Sequence, residues 1–182
     1  MNIINFSGGR TSAYMTKRLI DEGLTDYIVC FQNTGKEMPQ TLDFINECDK
    51  RWKLNIVWLE YRKPNSFEIV TYETASRDGR PFSELIEHKK GFLPSISTRY
   101  CTEQLKITTL KKYLQSIGIN DYISFNGIRY DEPRRWSKLR NMENDIEMPL
   151  VKWKVSKKEV LNYWALQDFD SSSDILQVSR CA

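Results

Sequence analysis

Asn2-Ile3-Ile4-Asn5-Phe6-Ser7-Gly8-Gly9-Arg10-Thr11-Ser12 opens the chain and decides its fold class. A short apolar run stops at two glycines. A stretch with Ala13, Met15, Leu19 and Ile20 on one helical face follows. Strand, glycine turn and helix are the start of a βαβ unit. Glycines at such a turn let the backbone take positive φ and come close to a ligand. The helix beyond it offers first-turn amides and the positive end of its dipole to an anion. Ser7, Thr11 and Ser12 add hydroxyl donors, and Arg10 adds charge. The stretch is neither Gly-x-x-x-x-Gly-Lys-Ser/Thr nor Gly-x-Gly-x-x-Gly. On its own it fits a phosphate cradle and also a plain strand-to-helix turn.

Working outward, Gly23 ends the first helix. Tyr27-Ile28-Val29-Cys30-Phe31 predicts a buried strand, and Asn33-Thr34-Gly35 a turn. Pro39 suits the first turn of a second helix carrying Leu42, Phe44, Ile45 and Trp52. Asn55-Ile56-Val57-Trp58-Leu59 predicts a third strand. The order β-α-β-α-β implies parallel strands joined by right-handed crossovers. Residues 61–98 hold Pro64, Gly79, Pro81, Gly91 and Pro94 and read as irregular, with one helix near 82–89. A segment that long inside a compact domain is expected to serve function. Thr102 opens a helix to about 117, and Tyr122-Ile123-Ser124-Phe125 is a fourth strand closed by Asn126-Gly127. Ser156 caps a last helix with Val160, Leu161 and Trp164 on one side. The expected fold is α/β, a Rossmann-like doubly wound parallel sheet of about five strands. Residues 1–167 are expected to form one domain, and 168–182, with Ser171-Ser172-Ser173, a frayed polar tail.

With 182 residues, 40% hydrophobic and 28% charged, the chain suits one globular domain with its own core. Cys30, Cys48, Cys101 and Cys181 lie far apart, which excludes zinc and cluster spacing. The start lacks the basic and apolar pattern of a signal peptide, and no apolar run is long enough for a bilayer. The expectation is a cytoplasmic protein with reduced thiols and no membrane partner. His88 is the sole histidine, which rules out a histidine triad or a multi-histidine metal site. Net charge is +3, yet residues 89–140 carry 11 Lys/Arg against 4 acids. Such an excess suits an anionic ligand or nucleic acid, and equally a solvated face of helices.

Five segments in order resemble the phosphoadenosine phosphosulfate (PAPS) reductase family and the wider PP-loop ATP pyrophosphatases. Ser7-Gly8-Gly9-Arg10-Thr11-Ser12 resembles the PP-loop. Phe31-Gln32-Asn33-Thr34-Gly35 resembles the Asp-Thr-Gly segment after strand two. Tyr100-Cys101-Thr102-Glu103-Gln104-Leu105-Lys106 resembles the Cys-x-x-x-x-Lys helix start. Gly127-Ile128-Arg129 and the residues to Arg135 resemble the Gly-x-Arg loop, and Met148-Pro149-Leu150 with Trp153 the Pro-Leu-x-x-Trp segment. The resemblance covers residues 1 to 166 and implies an adenine nucleotide alpha hydrolase-like fold.

It also implies roles. Ser7, Gly8, Gly9, Arg10, Thr11 and Ser12 would bind phosphate or sulfate, with Asn33, Thr34 and Gly35 near adenine and ribose. Lys106 and Arg129 would reach the anion, with Arg134 and Arg135 as further contacts. Cys101, at a helix start near Lys106, is the candidate reactive thiol. A Val in place of Gly8 is expected to block phosphate without unfolding the chain. The substrate would be ATP, PAPS or adenosine phosphosulfate, with magnesium admitted, no iron–sulfur cluster, and a homodimer compatible with the pattern. Departures narrow the chemistry. The chain ends Ser179-Arg180-Cys181-Ala182, without the Glu-Cys-Gly-x-His motif of sulfonucleotide reductases, and Thr11 stands where ATP-using relatives have Asp. The first expectation is therefore ATP cleavage between the α- and β-phosphates with adenylyl transfer to an acceptor. The alternatives are a thiol-dependent reductase of PAPS or adenosine phosphosulfate, and a nucleotide-binding module without turnover.

Overall fold

Six strands build the sheet at the centre of a computed structural model that describes residues 1–95, 98, 100–140 and 145–170. In chain order the elements are β1 Asn2–Asn5, α1 Arg10–Asp21, β2 Tyr27–Asn33, α2 Pro39–Trp52, β3 Val57–Arg62, β4 Ser66–Val70 and α3 Arg80–His88. There follow α4 Tyr100–Thr102, a π-helical segment Glu103–Thr108, α5 Thr109–Ser116, β5 Ile123–Asn126, α6 Pro133–Arg140, β6 Ile146–Glu147, α7 Pro149–Lys152 and α8 Lys157–Trp164. The strand order is β4-β3-β2-β1-β5-β6. All neighbours pair in parallel except β3 with β4, which are antiparallel. The expected α/β doubly wound sheet is present, with six strands where about five were expected and four were located. The additions are β4, which turns part of the supposedly irregular middle into a hairpin, and the two-residue β6.

Helices cover both faces, as a parallel sheet requires. One core joins Ile4, Val29, Phe31 and Trp58 of the sheet, with Phe6 just beyond β1, to α1, α2 and α8 through Met15, Leu42, Ile45, Val160 and Trp164. On the other face Ile3, Cys30 and Leu59 meet Leu110, Tyr113 and Leu114 of α5. Tyr61, Leu85, Cys101 and Leu105 form a third cluster beside it. Boundaries shift where local chemistry decides them. The third strand starts at Val57 rather than 55, because Asn55 takes a positive φ of 53° and the Ile56 amide donates to Asp49 Oδ1 at 3.2 Å. The helix expected from Thr102 begins at Tyr100 and is π-helical over Glu103–Thr108.

The last helix starts as read. Ser156 Oγ accepts from the Glu159 amide, and the Glu159 carboxylate accepts from the Ser156 amide at 2.7 Å, a reciprocal capping box. The tail read as frayed behaves differently as far as it is described. Asp168 pairs with Arg51 at 2.7 Å, and Phe169 packs against Phe44, Trp52 and Trp164. Ser171-Ser172-Ser173 and Cys181 lie outside the described residues.

Trp164 ties this end of the chain to its start. It is 2% exposed, and its Nε1 donates to the Arg10 carbonyl at 2.9 Å. Replacing it by Ala should cost about 3–5 kcal/mol in urea unfolding. Trp164→Phe keeps much of the packing and should cost less, including about 1 kcal/mol for the lost bond to Arg10.

Candidate functional site

Parallel strands all end on one edge, and loops diverge there where successive connections run to opposite sides. In this sheet the divergence falls between β1 and β5, which pair from Asn2↔Ile123 to Asn5↔Asn126. The chain after β1 turns toward α1 and β2, while the chain after β5 turns toward α6. The residues that follow these two strands, Phe6–Gly9 and Gly127–Glu132, therefore flank one crevice.

The first loop is built by its own side chains. The Ser7 amide donates to Ser12 Oγ at 3.1 Å, Ser7 Oγ meets the same oxygen at 2.9 Å, and Ser12 Oγ donates to the Gly9 carbonyl at 2.9 Å. Ser12 is thus a brace of the loop, 1% exposed, while Ser7 is exposed. Gly9 is the N-cap of α1 and has no side chain with which to cap it. First-turn amides have no intrahelical acceptor, so they and the helix dipole favour an anion at this end. Gly8 has φ +78°, and a Cβ there would lie 2.7 Å from Thr41 Cγ2 and 3.0 Å from Ile45 Cδ1. This corrects the expectation for Gly8→Val. The new side chain would strike α2, so the variant disturbs the fold as well as the phosphate approach.

The second loop brings its arginine to the first. Arg129 Nη1 donates to Thr11 Oγ1 at 3.2 Å. Arg129 Nε donates to Asp131 Oδ1 at 2.9 Å, and Nη1 lies 3.5 Å from Glu132 Oε2. The local ion pair and the reach toward the loop coexist. Asp131 is held in turn by the Lys157 amide at 2.8 Å, the first residue of α8. Its partial burial pushes the carboxyl upward, but the Lys157 amide and the Arg129 guanidinium outweigh this and leave its pKa below the ordinary value. Gly127 makes the approach feasible, since a Cβ on it would sit 2.9 Å from Ser12 Cα and 3.2 Å from Ser12 N.

Other expected residues are placed differently. Asn33 is fully buried; its Nδ2 donates to Glu60 Oε1 at 2.6 Å and to the Ser76 carbonyl at 2.9 Å, and its Oδ1 accepts from the Gly35 amide at 3.0 Å. Its polar atoms shape the turn. Thr34 Oγ1 donates to Glu37 at 2.8 Å, beside Gly35. Arg10 makes a two-pronged contact with Asp170, Nε to Oδ1 at 2.7 Å and Nη2 to Oδ2 at 2.5 Å. Arg134 and Arg135 are exposed on α6, and Arg135 pairs with Glu132 at 2.6 Å. Cys101 is fully buried with Tyr61, Leu85 and Leu105, so its thiol does not face the crevice solvent. Lys106 is half-buried on the π-helical segment. The sequence reading missed Glu60 and Asp170, and placed Trp164 on the apolar side of the last helix without its bond to the Arg10 carbonyl. Only Glu60 left a local signal, an acid within the otherwise apolar run Val57-Trp58-Leu59-Glu60-Tyr61.

Among the described residues no group of three or more His, Cys, Asp or Glu could hold a metal ion, and no helix is long and apolar enough to cross a membrane. A separate concavity lined by Tyr27, Lys53, Asn55 and Tyr113 lies at the amino ends of β2 and β3, on the edge opposite the two loops.

A family model described as the phosphoadenosine phosphosulfate reductase domain matches residues 1–171. The nin region protein ORF290 of Escherichia phage lambda is 29% identical over 182 aligned positions, covering 93% of this chain and 61% of the phage protein. Protein MJ0973 of Methanocaldococcus jannaschii is 28% identical over 157 positions, covering 82% of this chain and 33% of that one. The chain thus spans less than two thirds of the length of these relatives. Among solved structures, PAPS reductase from Candida auris in its phosphate complex matches with a TM-score of 0.56. That match covers 91% of this chain and 72% of the other at 15% identity, a likeness of fold.

Three measurements check this geometry. Gly127→Ala should lower stability by about 1–3 kcal/mol, because the methyl meets backbone that cannot give way by a side-chain rotation. Burial pushes the Cys30 thiol up to about 12, and pushes the Cys48 thiol up as well. Both should resist iodoacetamide at pH 8.5 in the folded chain and react once urea unfolds it. The folded protein should also lose stability as pH rises from about 9 toward about 12, where unfolded thiols ionise and the buried Cys30 does not.

Proposed function

The chain belongs to the phosphoadenosine phosphosulfate reductase domain family, and on that premise we propose that Ser7–Ser12 and Arg129 hold the phosphate or sulfate end of an adenine nucleotide. The observation that carries this reading is the 3.2 Å bond from Arg129 Nη1 to Thr11 Oγ1. A guanidinium from the loop after β5 is thereby brought to the first turn of α1, whose free amides favour an anion. The phosphate in the Candida auris structure is in keeping with an oxyanion ligand.

The reaction we propose is cleavage of ATP between its α- and β-phosphates. A nucleophilic oxygen or nitrogen of the acceptor attacks the α-phosphorus. The bond from that phosphorus to the bridging oxygen breaks, pyrophosphate leaves with the electron pair, and the acceptor carries the adenylyl group. Negative charge grows on the leaving and non-bridging oxygens during the step. Donors fixed beforehand stabilise that charge without reorganising. Arg129 is held by Asp131, and the loop backbone by Ser12, which supports a guanidinium and loop amides that are ordered without the ligand. Thr34 and Gly35 would border the nucleoside, with Asn33 shaping their turn. The donor set does not suit a protein-held magnesium ion at Thr11, whose neutral hydroxyl accepts from Arg129. That same hydroxyl favours a second reading, nucleotide binding without turnover. The buried thiols Cys30 and Cys48 suit a cytoplasmic setting.

Pyrophosphate release from ATP across a panel of nucleophilic acceptors tests the reaction, and none above background would leave the binding reading alone. Sulfite release from PAPS with thioredoxin would instead indicate the reductase. Arg129→Ala should weaken ATP and pyrophosphate binding roughly ten- to a hundredfold, the loss of one charge-assisted contact. Arg129→Lys should recover part of it, and adenosine binding should not change. Equal losses for adenosine and ATP would show that Arg129 acts through the fold.

A further inference from the structure

Residues Asp168-Phe169-Asp170 reach the loop after β1 from the far end of the described chain. Asp170 presents both carboxylate oxygens to Arg10, at 2.7 Å from Nε and 2.5 Å from Nη2. That two-pronged edge of a guanidinium is the one that matches a phosphate. Arg10 is the first residue of α1, so Asp170 stands at the helix end where an anion is favoured. The pair is neither buried nor fully open, with side chains 26% and 31% exposed. Such pairs are weak and can be exchanged for another anion.

The neighbours of Asp170 are held by separate means. Phe169 lies 5.6 Å from Trp164 and 5.8 Å from Trp52, ring to ring, and the Arg51 guanidinium sits 4.4 Å over its face. Asp168 bonds the same Arg51 at 2.7 Å. An aromatic anchor thus keeps the segment on the body of the protein whether or not Asp170 touches Arg10. The carboxylate is tethered close to the loop and returns to it at high effective concentration.

We propose that Asp170 is an internal competitor for the anion site. Its carboxylate occupies Arg10 in the empty protein and must leave when the phosphate or sulfate of a nucleotide takes that edge. This inference rests on the reading that the loop after β1 binds the nucleotide's anionic end. The competing group is a carboxylate held by a short tether, so it lowers affinity for every oxyanion that uses Arg10 and leaves the nucleoside untouched.

Calorimetric titration of the full chain with ATP, inorganic pyrophosphate and adenosine tests it. Asp170→Asn keeps the shape and removes the charge, and should tighten ATP and pyrophosphate roughly two- to fivefold, a gain limited by the modest strength of a part-exposed pair. Asp170→Ser should act in the same direction, and adenosine should bind as before. In an Arg10→Ala background, which itself should bind ATP and pyrophosphate more weakly, Asp170→Asn should gain nothing. Unchanged or weaker ATP binding by both Asp170 variants, with Arg10→Ala still deleterious, would overturn the competitor and leave the anion site standing. Equal tightening of adenosine would overturn it as well. Arg10→Ala and Arg129→Ala both without effect on ATP would remove the anion site itself, and the competitor with it.

Discussion

The parallel pairing of β1 with β5 is the constraint from which the rest of the site follows. β1 lies between β2 and β5, and its two neighbours lead into connections on opposite sides. Two loops that are 118 residues apart in sequence are thereby brought within hydrogen-bond reach, Arg129 to Thr11. The pairing works because Asn5 and Asn126, the last residues of the two strands, are in register. Beyond them Gly127 presses on the Ser12 backbone with no room for a side chain. A slip in that register would move the arginine off the loop and turn buried side chains outward.

Much of this architecture was legible in the chain. The β-branched runs of β1 and β2 and the glycine turn between strand and helix specify a parallel βαβ unit by themselves. Ser156 and Glu159 have the spacing of a capping box and form one. The less legible parts have physical reasons. β4 is five residues long with a mostly exposed pattern, and it follows Pro64 and the positive-φ Asn65, so local composition reads as loop. The π-helical stretch has the residues of an ordinary helix, and a wider turn leaves no mark in composition. At the site, the identities of Arg10, Asn33 and Arg129 could be read, but the partners of Arg10 and Asn33 could not. Asn33 is held by Glu60, 27 residues on, and Arg10 by Asp170, 160 residues on. Contacts of that separation belong to the tertiary fold.

The charge excess of residues 89–140 also resolves into particular pairs. Arg129 and Arg135 share Glu132. Asp131 is divided between Arg129 and the α8 amide. Asp131 and Glu132 therefore orient Arg129 and Arg135, while Arg134 and Lys138 of α6 are exposed. On the proposed reading, exposed charges would draw an anion and oriented groups would hold it, which are separate effects with separate dependence on salt.

The ends of the sheet remain. An edge strand offers unpaired peptide groups to any other chain and so invites sheet extension between molecules. On one side the outermost strand, β6, has two residues, too short a template to recruit a partner. On the other, β4 carries Glu68, which binds Arg62 at 2.5 Å and Arg80 at 3.0 Å along that border. A foreign strand adding there would have to settle against this charged row. The hairpin that interrupts the parallel order therefore also terminates it, with a charged group on the sheet's last strand, a feature that disfavours the addition of a further strand.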